Sequence, residues 1–137
     1  MLLKDIELKQ EFKRLVPDAT AAEAIALIAE YHTPIILVEK GGPGDTHGVI
    51  TKRDIIGKLI GEGLDPEKVS AGDLASKPLI VINNIEVDVC WVARIMAREK
   101  VSCVGIYDRG EFKGFVTDRD ILTAMAAGLK DEGRRQA

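Results

Sequence analysis

Two nonapeptides in this chain follow one pattern: GVITKRDII from Gly48 to Ile56, and GFVTDRDIL from Gly114 to Leu122. Glycine, threonine, arginine, aspartate and the first isoleucine keep their places, and the other apolar places stay apolar. Such a repeat means one supersecondary unit made twice, and a unit of about 60 residues alone buries little surface. The flanks repeat as well. Asp18 to Tyr31 (DATAAEAIALIAEY) carries Ala21, Ala24, Ile25 and Ile28 at helical spacing, and Asp88 to Lys100 (DVCWVARIMAREK) carries Val89, Val92, Ala93 and Met96. Each predicted helix leads into a short apolar strand, 34–38 or 103–107. Each strand ends on an acid and a base, Glu39-Lys40 or Asp108-Arg109, followed by a glycine turn. Apolar stretches precede both helices, Phe12 to Val16 and Leu79 to Ile82. Even the lead-ins echo, as Lys4-Asp5-Ile6 and Gly72-Asp73-Leu74.

Each half therefore predicts strand, helix, strand, strand, helix, closing with helices over 52–61 and 118–127. The expected fold class is mixed α/β (α+β): two βαββα repeats related by pseudo-twofold symmetry. Residues 1–66 are the first repeat, 67–128 the second, and 129–137 a polar, frayed C-terminal tail.

Composition narrows the functional classes. The 137 residues are 46% hydrophobic, enough for a core, and the net charge of −3 argues against duplex nucleic acid as the main partner. Cys90 and Cys103 lack a C-x-x-C spacing and read as small apolar residues of a reducing compartment. His32 and His47 stand apart from other metal-ligand types, so no metal is expected. No run reaches the ~18 apolar residues of a membrane-spanning helix, and the start, MLLKDIELKQ, is too charged for a signal peptide. A soluble, cytoplasmic protein without a membrane partner is expected. No nucleophile elbow, P-loop or other catalytic set occurs, so an enzyme is not expected.

The threonine of each nonapeptide sits where a strand-like segment meets a helix-like one. Thr-x-x-Asp at such a junction is close to a capping box, in which threonine and acid satisfy each other's backbone amides. The arginine and the duplication support a second reading. A helix N-terminus offers unpaired amides to phosphate, an arginine adds a forked charge, and an aspartate accepts from both hydroxyls of a ribose. Either role fits these residues.

The repeated pattern Gly-h-h-Thr-x-Arg-Asp-h-h (h, apolar), closing two βαββα repeats over residues 1 to about 128, resembles the paired cystathionine-β-synthase (CBS) domain, or Bateman module, here free-standing. The resemblance implies a regulatory or sensor module that binds adenosine-containing ligands in the cleft between its repeats. AMP comes first among these, with ADP, ATP or S-adenosylmethionine as alternatives. By the same resemblance, Asp54 and Asp120 hold riboses, Thr51 and Thr117 assist at ribose or phosphate, and Arg53 and Arg119 face phosphate. Arg14, Thr33, Pro34 and Ile35 would line the Asp120 site with Phe115 behind the base. Ile80, Ser102, Cys103 and Val104 would line the Asp54 site with Val49 behind the base. The family habit also implies a disc-like homodimer and an unidentified regulated protein. Trp91 and Ile95, off the main apolar face of their helix, suit such a dimer. The alternatives are a dimerisation scaffold with empty sites or a nucleic-acid-binding CBS protein.

Overall fold

The computed structural model describes residues 1–8, 12–30 and 35–136, with side chains through residue 130. The chain divides into two units, Glu11–Leu79 and Met1–Gln10 with Ile80–Ala137.

In the first unit, β1 (Lys13–Leu15) is followed by α1 (Ala21–Glu30), β2 (Ile35–Val38) and β3 (Gly48–Thr51). The short α2 (Lys52–Asp54) continues into a wider π turn, Ile55–Ile60, and α3 spans Ala71–Leu74. The sheet order is β1-β2-β3, parallel between β1 and β2 and antiparallel between β2 and β3. Parallel neighbours need a crossover, which α1 supplies. Glu23 N–H donates to Thr20 Oγ1 (3.3 Å) at the start of that helix. The central strand β2, IleIleLeuVal, is buried along its whole length, which is why it reads as an unbroken apolar run. The core joins Ile36, Val38, Ile50, Ile55, Leu59 and Leu74 to Ala21 and Ala24 of α1.

The second unit contains β4 (Val81–Ile82), α4 (Val89–Glu99), β5 (Cys103–Asp108), β6 (Glu111–Thr117) and α5 (Asp118–Gln136). Its sheet, β4-β5-β6, has the same strand senses as the first. Arg109 and Gly110, at φ 54° and 79°, make the two-residue hairpin turn, whose double positive φ matches the twist of the flanking strands. The Asp88 carboxylate accepts from Cys90 N–H (2.8 Å) to cap α4, and Lys100, in the left-handed region, ends it. Val89, Val92 and Met96 form the buried face of α4, as their spacing predicts. Ile95 packs partly against the same core, whereas Trp91 is exposed.

Three features depart from the sequence expectation. The closing helix of the first repeat is α-helical only over Lys52–Asp54. It then widens, and Gly61 N–H reaches back to Ile56 O (2.7 Å). Gly57 and Gly61 stand where the second repeat has Thr123 and Ala127, and glycine holds an α-helix less firmly by about 1 kcal/mol. Second, α5 runs to Gln136 rather than ending at 127, because the polar tail is rich in Lys, Glu, Arg and Gln, which are good helix formers. Third, each lead-in docks against the chain that enters the other repeat's helix. Leu3 and Lys4 N–H donate to Val87 and Ile85 carbonyls (both 2.9 Å), and Leu3 is buried in the second unit's core. Ala71 and Gly72 N–H donate to Ala19 and Pro17 carbonyls (2.7 and 3.0 Å) in the first unit.

Residues 74–79 form a strap along β3. Ser76 N–H donates to Val49 O (2.9 Å), Val49 N–H to Ser76 O (3.1 Å), and Leu79 N–H to His47 O (3.0 Å). Asp45 ties the strap down. Its carboxylate accepts from Gly41 N–H (2.7 Å) and from the Lys77 ammonium (3.2 and 3.3 Å). The Gly41 and Thr46 amides, then Lys77, hold the Asp45 carboxyl at about 2 instead of its ordinary 3.8. A carboxyl lowered on folding contributes stability above its unfolded value, and that contribution is lost as pH falls through the folded one. Denaturant titrations are therefore expected to show extra destabilisation of the parent between pH 3.8 and about 2. Asp45→Asn is expected to lack that component, being weaker at neutral pH and flatter in acid.

Candidate functional site

At the first junction, β3 delivers Thr51 and α2 delivers Arg53 and Asp54. Thr51 N–H donates to Asp54 Oδ2 (2.9 Å), and the Thr51 hydroxyl lies 3.2 Å from the same oxygen. Asp54 is buried. Its other oxygen, Oδ1, accepts from the Ser76 hydroxyl (2.7 Å) and pairs with the Lys58 ammonium (3.0 Å). Lys58 also donates to Ser76 Oγ (2.9 Å) and Leu74 O (3.3 Å). The arginine of the motif is exposed.

The second junction repeats the cap with tighter geometry. Thr117 N–H and its hydroxyl each lie 2.8 Å from Asp120 Oδ2, and Asp120 N–H donates back to Thr117 Oγ1 (3.1 Å). Asp118 turns its carboxylate onto Arg119 N–H (2.7 Å), and its own N–H donates to Ser102 O (2.9 Å). Asp120 is half-buried and Arg119 exposed. Both aspartates therefore close a capping box with Oδ2, and both arginines stand in solvent beside a helix start, where a capping box has no use for them.

The remaining predicted residues are placed within their own units. In the first, Ile35 is buried opposite Thr51 in the β2–β3 register, and Val49 is buried under the strap. Arg14 is exposed on β1 with its guanidinium 5.3 Å from the Phe12 ring centre. Thr33 and Pro34 lie outside the described residues, as does His32. In the second, Cys103 is buried opposite Thr117, and Val104 is a core residue. Ile80 is half-buried and its carbonyl accepts from Gly105 N–H (2.8 Å). Phe115 is fully buried, edge-on to Phe112 with ring centres 5.2 Å apart. Lys58 and Ser76 were missed from sequence. Lys58 lies one helical turn after Asp54, a spacing that signals an ion pair. Ser76 carries no such local signal.

Among the described residues, no group of three His, Cys, Asp or Glu side chains could hold a metal ion. Among the same residues, no helix is long and apolar enough to cross a membrane.

The CBS domain model matches residues 3–61 and 71–127. The chain belongs to the CBS domain family. Each match ends with one of the nonapeptide motifs and its helix. CBS pairs are commonly regulatory, ligand-binding modules. An uncharacterized protein of Methanopyrus kandleri is 31% identical over 125 residues, spanning 87% of this chain and 62% of its own length. Hypoxic response protein 1 of Mycobacterium tuberculosis is 31% identical over 75 residues, 55% of this chain and 52% of that protein. The chain thus spans little more than half the length of these curated relatives. Among solved structures, the hexameric CBS-CP12 protein of bloom-forming cyanobacteria superposes with a TM-score of 0.77 at 27% identity, over 89% of this chain and 69% of that one. An uncharacterized conserved protein of Pyrococcus horikoshii shares the CBS fold at a TM-score of 0.74 and 24% identity, over 90% and 91% of the two chains.

Proposed function

We propose that this CBS pair is a regulatory sensor that binds adenosine-containing ligands, AMP foremost and ADP, ATP or S-adenosylmethionine alternatively, through its threonine–arginine–aspartate junctions. One observation carries the reading. Each junction sets a threonine hydroxyl, an aspartate carboxylate and an exposed arginine within four consecutive residues at a helix start, and does so twice. Together these groups offer the acceptors that a ribose diol needs and the cation and amides that a phosphate needs.

The test is calorimetric titration of AMP into the parent and Asp120→Ala. Losing charge-assisted hydrogen bonds to the ribose is expected to cost about 1.5–3 kcal/mol, which is roughly ten- to hundredfold in affinity. Binding equal to the parent's would leave Asp120 as a helix cap alone.

Self-association is part of the same proposal. On α5, Leu122, Met125 and Leu129 form an exposed apolar stripe, Leu122 and Leu129 each 68% exposed, and Trp91 adds a further exposed apolar surface on α4. Sedimentation is expected to give a dimer at micromolar concentration, and Trp91→Glu is expected to return it to the monomer. A monomeric parent would overturn this part.

A further inference from the structure

The two motifs are nearly the same in sequence, yet Asp54 has acquired partners of its own. A carboxylate offers about four lone-pair positions. Those of Asp54 face four donors: the Thr51 amide and hydroxyl on Oδ2, and the Ser76 hydroxyl and Lys58 ammonium on Oδ1. The Asp54 side chain is 8% exposed, so a diol could reach its oxygens only by displacing a donor already in place. The pair on Oδ1 also adds side-chain contacts that hold the strap. Ser76 is a strap residue, and Lys58 binds both Ser76 Oγ and the Leu74 carbonyl. In register with the repeat, Lys58 corresponds to Ala124. Ser76, aligned through the lead-ins, corresponds to Leu8. Ala124 and Leu8 pack as apolar residues against the core of the second unit. The polar latch therefore belongs to the first copy's own flanking sequence, not to the pattern written twice.

We propose that Lys58 and Ser76 occupy Asp54 in place of a ligand's hydroxyl pair, so that the first motif takes an adenosine ligand only when this latch opens and frees the strap of residues 74–79. The inference rests on the reading of the junctions as ribose sites. Occupancy of the first motif is then coupled to a movement of the strap. Apparent affinity falls by the fraction of molecules in which the binding-competent, open form is populated.

The experiment isolates the first motif in Asp120→Ala and titrates AMP, with the parent alongside. Adding Lys58→Ala and Ser76→Ala to that background is expected to tighten binding about tenfold, because two donors to one carboxylate no longer compete. Lys58→Met, which keeps the aliphatic stem, serves where the alanine pair folds poorly, and is expected to give a smaller gain in the same direction. Amide exchange gives a second readout. Saturating AMP is expected to speed exchange at Val49 and Ser76, whose N–H groups bond each other's carbonyls across the strap. A parent that binds AMP, with no gain from the latch variants or with strap amides unchanged or slowed, overturns the latch and leaves the sensor reading standing. A parent that binds none of AMP, ADP, ATP or S-adenosylmethionine overturns the sensor reading and the latch together.

Discussion

Replacing Phe115 by alanine is expected to lower the stability of the chain by about 3–5 kcal/mol, the range for deleting a buried aromatic ring. Phe115 has no exposed surface, and it lies directly opposite Gly105 in the β5–β6 register. Gly105 brings no side chain to its strand, so the ring covers backbone that would otherwise lack a packing partner. The ring also belongs to an aromatic series: Phe112 is edge-on to it, and Tyr107 is edge-on to Phe112, each at 5.2 Å between ring centres. Such pairs add about 0.5–1.5 kcal/mol beyond burial. Urea denaturation followed by circular dichroism measures the loss, and Phe115→Leu is expected to recover more than half of it. A loss below about 1 kcal/mol for the alanine variant would mean that the ring is not part of a closed core.

Gly48→Val is expected to cost about 3 kcal/mol, the upper part of the range for overpacking. Valine is a strong strand former, so local preference alone would favour it on β3. The obstacle is the strap. A Cβ at Gly48 would lie 2.9 Å from Ala75 Cβ, 2.9 Å from Lys77 Cγ and 3.1 Å from Ser76 O. Lys77 can swing aside, but Ala75 and the Ser76 carbonyl belong to a backbone tied to Val49. The variant is expected to lose protection at the Val49 and Ser76 amides together with global stability. Gly57→Ala is the control, since nothing lies within 4 Å of its added Cβ; its effect is expected to be neutral or slightly stabilising. Equal stability of parent and Gly48→Val would mean that the strap does not rest on β3.

The glycine that opens each nonapeptide has a separate reason in each copy. At Gly48 it is the closeness of the strap. At Gly114 the backbone itself has φ 135°, outside the range of ordinary side chains. A shared letter in the sequence pattern thus conceals two physical demands. Asp54 and Asp120 likewise share a capping box, and at Asp54 the carboxylate also accepts from the Ser76 hydroxyl.

The sequence by itself determined the strands and principal helices of each repeat and their order, though not the short α3, because helix and strand periodicity are local and the second copy checks the first. It placed α4 and its buried face at Val89, Val92 and Met96, the buried run of β2, and the two threonine–aspartate junctions. The ends of helices were less well determined. Gly57 and Gly61 allowed a widened turn where the apolar spacing read as α-helix, and the polar tail extended α5 to Gln136. Tertiary structure alone decided which lead-in meets which half, since Leu3 and Ala71 are apolar enough for either core. It alone brought Ser76 to Asp54, 22 residues away along the chain, and Lys77 to Asp45, 32 residues away. Those contacts depend on a strap whose path is set by backbone pairing with β3, and no spacing rule within one segment encodes a meeting between two.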